Sequence, residues 1–140
     1  MVPLYLTSKK KRNEGDRMKK FITMGAICGL LAVALGAFGA HILEGNIPEK
    51  YLETWGKAVD YQMFHSAGLL VIGLLAEKLG MKPLLNWSGN LMLIGIILFS
   101  GSLYILSLTG IGILGAITPL GGVSFIVAWA LMVAGVRNYE

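Results

Sequence analysis

The sequence predicts an all-α, integral-membrane four-helix bundle with a short interfacial helix in the first outer loop. Three observations carry this. Hydrophobic residues make up 55% of the 140 residues and charged residues only 14%, whereas a water-soluble domain carries roughly 25% charge. Uncharged runs long enough to cross a bilayer recur along the chain, which has a mean hydropathy of +0.68. Lys and Arg are placed asymmetrically about those runs. The composition excludes a soluble globular domain and a disordered chain. With Cys28 as the single cysteine it also excludes a disulfide scaffold.

Residues 1–17 are polar and basic. They are expected to form a disordered N-terminal arm ahead of a transmembrane domain over 18–140. The first uncharged run, Phe21 to Leu43, is 23 residues long, and about 20 suffice to span the hydrocarbon core. It gives a span over 21–42. Met18-Lys19-Lys20 before it resembles the start of a signal peptide. The run is longer than an ordinary signal core, however, and Ile27 stands where lipoprotein cleavage before Cys28 wants a small residue, so the segment is expected to stay.

After Pro48, apolar residues fall at Tyr51, Leu52, Trp55 and Val59, one helical stripe opposite Glu49, Lys50, Glu53 and Lys57. This is the expected interfacial helix, leading into a second span over 58–77. The run from Pro83 to Val136 has 54 uncharged residues. As one helix it would reach about 80 Å, so it must fold back. Glycine density, Thr109, Thr118 and Pro119 place the break between Leu108 and Gly122. Spans are expected over 88–108 and 119–136, with Thr118 as the cap before Pro119. Trp55, Trp87, Tyr104 and Tyr139 fall near the expected interfaces, as aromatic belts do.

Seven of the 12 Lys and Arg lie in the first 20 residues. With the N-terminus inside, ten of the 12 fall in cytoplasmic segments, and only Lys50 and Lys57 lie outside. Both termini are therefore expected on the cytoplasmic face of the inner membrane, as an even number of spans requires. The basic block reads as a cytoplasmic flank, with no nucleic acid as partner. The expected partners are the lipid bilayer and, within it, a second copy or another membrane protein.

Lipid supplies no hydrophobic drive for helix association, so small residues that let backbones approach mark the contacts. In the first span Gly25, Gly29, Ala32, Gly36 and Ala40 share one face. Contact within the monomer is their expected use. Gly95 with Ser102, and Ala128 with Gly135, offer partner faces on the third and fourth spans.

Four strings are distinctive: Gly36-Ala37-Phe38-Gly39-Ala40-His41, Tyr61-Gln62-Met63-Phe64-His65, Leu98-Phe99-Ser100-Gly101-Ser102-Leu103-Tyr104 and Ile117-Thr118-Pro119-Leu120-Gly121-Gly122. Together, over about Met18 to Arg137, they resemble the YgdD/YwdK-type family of small four-span membrane proteins of unknown function. The resemblance implies a four-span inner-membrane protein and no particular reaction.

The same strings bring polar groups to one depth near the outer ends of the spans: His41, Asp60, Tyr61, Gln62, His65, Ser100, Ser102, Tyr104 and Thr118. Such groups are costly in hydrocarbon and normally face the bundle interior. His41, Gln62, His65 and Ser102 are expected within one contact shell. The cluster then serves either as hydrogen-bonding glue between helices or as a site for a small ion, a proton or a lipid-like ligand. Asp60 and His65 lie about 140° apart around a helix, so they could join His41 on one metal ion only if the helix start unwound. Neither a metal nor any other cofactor is expected. Ser100 or Ser102 with His65 lacks a recognisable third group, so no catalytic constellation is read. The expected function is that of a non-enzymatic membrane bundle acting through helix packing or partner interaction, with ligand binding or transport as the alternative.

Overall fold

The computed structural model describes residues 4–138. Four helical segments, Thr7–Leu43, Glu49–Leu79, Pro83–Thr109 and Gly112–Arg137, are long and apolar enough to cross a membrane. They contain the four expected spans. Tyr139, expected in an aromatic belt, lies outside the described residues.

The first helix, α1 (Leu4–Phe38), passes into a π-helical turn over Gly39–Leu43, closed by the Glu44 N–H on the Gly39 carbonyl at 3.0 Å. Where a disordered arm is expected, residues 4–17 extend α1 as helix; residues 1–3 lie outside the described residues. Lys, Arg and Glu are good helix formers, and Asp16 precedes Lys20 by four residues, the favourable pairing order. The extension faces the Gly80–Pro83 connection through Lys10, Glu14 and Arg17.

The second helix, α2 (Glu49–Leu79), has no break between the expected loop helix and the second span. The amphipathic stretch forms the first turns of one continuous helix. Its apolar stripe faces α1: Trp55 and Ala58 are buried, and the Trp55 indole donates to the Leu35 carbonyl at 2.8 Å. That contact replaces the expected one with lipid headgroups.

The third span is not a uniform helix. It runs as α3 (Pro83–Gly95), a π-helical stretch over Ile96–Gly101, and α4 (Ser102–Thr109). Gly110 ends it with φ +70°, a left-handed conformation that glycine adopts at no steric cost. Its N–H closes on the Leu106 carbonyl at 2.8 Å. A 3₁₀ turn over Gly112–Ala116 leads to α5 (Thr118–Arg137), so the fold-back lies within the expected break.

The helices form two pairs, α1 with α2 and α5 with α3 and the π stretch, joined where α2 meets α4 and that stretch. Phe21, Leu69, Ile72, Leu85 and Met92 are fully buried between them. The outer surface is apolar: Leu30, Ile97, Ile113 and Ile126 are each about two-thirds to three-quarters exposed. That suits hydrocarbon and not water.

The small-residue face of α1 packs on α2 of the same chain. A side-chain carbon at Gly25 would lie 2.9 Å from the Ser66 carbonyl oxygen and 3.1 Å from Leu69 Cβ, so the contact is backbone-tight there. At Gly29 the nearest neighbour is Ser66 Cβ at 3.9 Å, and at Gly36 it is Val59 Cγ1 at 3.4 Å, both ordinary contacts. Ala32 is fully buried, whereas Ala40 is exposed. Gly39 takes the place expected of Ala40, with the Trp55 indole 2.8 Å from where a Cβ would stand. On the other spans Ala128 is fully buried, and Gly95 and Gly135 lie under Phe125 and Leu85.

Candidate functional site

The polar chemistry gathers at the end of the bundle that carries the connections 44–48 and 110–117. It is built from α2 outward. Buried residues recur along α2 at Trp55, Ala58, Gln62, His65 and Leu69, three or four apart as one helical face requires, with Ser66 buried beside them.

Gln62 is the hub. Its Nε2 donates to the Cys28 carbonyl of α1 at 2.9 Å. Its Oε1 accepts from the Tyr104 hydroxyl of α4 at 3.0 Å. One amide thus ties three helices, using its donor and its acceptor. The backbone carbonyl of Gln62 takes the Ser66 hydroxyl at 2.5 Å. One turn back, the Ser100 hydroxyl donates to the Ala58 carbonyl at 2.7 Å. The Trp55 ring packs against Tyr104 at 4.6 Å between centroids, closing the end of this seam.

A second seam joins the third span to α5. The Ser102 and Thr118 hydroxyls meet at 2.8 Å. Ser124 donates to the Leu91 carbonyl at 2.7 Å, and Ser88 donates to the Ala128 carbonyl at 2.7 Å. Ser100 and Ser102 point to different partners because two helical steps turn about 200°. Thr118 is therefore no helix cap: no side-chain bond caps α5, and its hydroxyl serves Ser102 instead. Among the described residues no buried side-chain nitrogen or oxygen lacks a partner.

His65 belongs to neither seam. Its Nδ1 lies 2.7 Å from the Tyr61 carbonyl of its own helix. A carbonyl only accepts, so Nδ1 carries the proton in that bond. Its ring stacks on Phe125 of α5 at 3.4 Å and 11°, with Phe64 edge-on at 5.4 Å. Tyr61 stacks on Phe99 at 4.3 Å. These rings line a cleft of about 630 Å³ between α2 and α5, with Asp60 at its rim and Trp129 at its far end. Phe99 reaches it because the π stretch carries that residue against Gly121, where α5 comes closest.

The expected single contact shell is thus divided. Gln62, Tyr104 and Ser100 meet in one seam, and Ser102 and Thr118 in another. Asp60, Tyr61 and His65 line the cleft. His41 joins none of these: it stands exposed on the π turn that ends α1, a turn that shifts the helix register just where the periodicity would have brought it inward. Trp55, Ser66, Phe125 and Trp129 were not expected here. Trp129 gave a signal, since a Trp in mid-span is out of place for an interfacial belt. Ser124 was likewise legible as a lone hydroxyl in an apolar run. Nothing in the sequence marked the Cys28 carbonyl as an acceptor.

The family described as "Protein of unknown function (DUF423)" matches residues 35–122. The UPF0382 membrane protein YwdK of Bacillus subtilis is 58% identical over 122 residues, covering 87% of this chain and 99% of that protein. A UPF0382 membrane protein of Staphylococcus epidermidis is 53% identical over 122 residues, covering 87% of this chain and 98% of the relative. One of Staphylococcus haemolyticus is 51% identical over 116 residues, covering 83% and 93%. No solved structure matches the chain. The chain belongs to this family of membrane proteins, as the four strings of its sequence implied.

Proposed function

We propose that this protein is a non-enzymatic four-span bundle of the cell membrane, with both termini in the cytoplasm, that acts by associating with a second copy or with another membrane protein. The observation that carries this reading is where the buried polar groups point. Gln62, Ser88, Ser100 and Ser124 each bond a backbone carbonyl of a neighbouring helix. A hydroxyl held this way cannot serve as a nucleophile without breaking the seam it closes. Interhelical bonds of this kind average about 0.6 kcal/mol each in membranes, so several are needed to fix one arrangement. The lipid-facing surface of α1 and α5 is left free for lateral contact.

The orientation rests on the ten-to-two distribution of Lys and Arg. A reporter enzyme fused after Glu140 is expected to be active only as a cytoplasmic fusion, and one inserted at Asn46 only as an external one. An external signal from the Glu140 fusion would overturn the orientation. Association is tested separately by native mass spectrometry in mild detergent. A dimer or a defined hetero-complex is expected; a bare monomer at every detergent and protein concentration would count against the reading.

A further inference from the structure

The aromatic cleft is not explained by helix packing. Its walls are the rings of Tyr61, Phe64, His65, Phe99, Phe125 and Trp129, and its one carboxylate is Asp60. No Lys or Arg lines it. Ring faces carry negative electrostatic potential. A cation within about 6 Å of such a face is attracted to it, the more so where water is excluded. Tyr61 and Phe99, and His65 and Phe125, stack on each other; the carboxylate and the ring faces left open to the cleft favour positive charge.

We propose that the cleft binds the ammonium headgroup of a membrane amphiphile, with Asp60 and the aromatic rings around the cation and the first methylenes of the chain lying along Ile126 and Trp129. The shape points to an amphiphile over a free cation. From Gly122 to Trp129 the cleft descends α5 by about 10 Å, from the end of the helix toward mid-bilayer. Apart from the His65 ring, its deeper lining is apolar. Phe64 is 62% exposed and Ile126 70% exposed, so this part opens sideways to hydrocarbon, where a chain can enter and a hydrated ion cannot. A headgroup with a phosphate and no ammonium would offer Asp60 and the ring faces only the wrong sign. The volume of about 630 Å³ suits a headgroup and the start of a chain, the rest remaining in the bilayer.

The test is native mass spectrometry of the full-length protein in dodecyl maltoside. It is titrated separately with dimyristoylphosphatidylcholine, dimyristoylphosphatidylglycerol and tetramethylammonium chloride. Retention of the choline lipid at about tenfold lower concentration than the glycerol lipid is expected, from a cation–π and ion-pair gain of that order. Tetramethylammonium alone should not be retained. Asp60→Asn should remove the preference, and Phe64→Leu should weaken retention of the choline lipid. Both residues are exposed, so both variants should keep the parent's melting temperature. Glu53→Gln, an exposed acid outside the cleft, should change nothing. Equal retention of the two lipids would overturn the proposal, as would a preference that survives Asp60→Asn. Retention of tetramethylammonium without a chain would overturn the amphiphile. A dimer that seals the cleft and retains no lipid would assign it to a second copy instead.

Discussion

Gly121→Ala is expected to destabilise the bundle by about 3 kcal/mol, the upper end of ordinary overpacking costs. An added methyl would stand 2.7 Å from Phe99 Cβ and 2.8 Å from Phe99 Cα. Those atoms cannot rotate away, so α5 must lift off the π stretch. The shift would also pull Thr118 from Ser102 at the start of α5. Its neighbour supplies the control. At Gly122 the nearest atom to an added methyl is Phe99 Cδ2, at 4.0 Å. Gly122→Ala gains helix propensity worth up to about 1 kcal/mol and should be neutral or stabilising. The denaturation midpoints of the two variants in mild detergent separate the cases. Equal midpoints would show that α5 does not approach the third span at Gly121.

The second large effect is expected at Gln62. Gln62→Leu keeps the side chain's bulk and removes both of its bonds. The Tyr104 hydroxyl loses the bond it makes to Oε1 at 3.0 Å, and the Cys28 carbonyl loses its donor from α2. A buried polar group left unpaired costs about 1–3 kcal/mol, and the loss here should fall in that range. Tyr104→Phe leaves Gln62 still tied to α1 and strands only its Oε1, so its cost should lie at the low end of that range, about 1 kcal/mol. Thermal unfolding by circular dichroism in detergent checks the order. A Tyr104→Phe loss as large as that of Gln62→Leu would mean that the amide does not bridge three helices.

The contrast between these sites shows what the sequence made legible. The spans followed from charge-free runs, since hydrocarbon excludes charge whatever the fold. The face of α1 that meets α2 was legible in Gly25, Gly29 and Ala32, because close backbone approach needs small residues. Near Gly39 the helix changes to π geometry, and periodicity of 3.6 no longer assigns faces. That is why Ala40 and His41 were expected inward and stand exposed. The same change in the third span hid the meeting of Phe99 with Gly121. Gln62 and Ser102 were rightly expected inside, but their partners were not, because backbone carbonyls leave no mark in a sequence. The expected helix after Pro48 is present as the first turns of α2, but its stripe meets α1 instead of lipid: a periodic stripe does not say whether lipid or a neighbouring helix receives it.

Gly25, Gly36 and the buried serine hydroxyls of the spans share one feature: each meets a neighbour from its own chain. The central claim is that the small and polar residues are used up inside the monomer, leaving other surfaces for partners. Disulfide cross-linking between α1 and α2 tests it most directly. Val59 Cγ1 lies 3.4 Å from the position of a Cβ at Gly36, a separation compatible with a disulfide between the two positions. In a Cys28→Ala background, the double variant Gly36→Cys, Val59→Cys is oxidised in native membranes. The expected product is a monomer of altered gel mobility that reverts on reduction. A covalent dimer as the main product would place the small-residue face of α1 against a second copy and contradict the account.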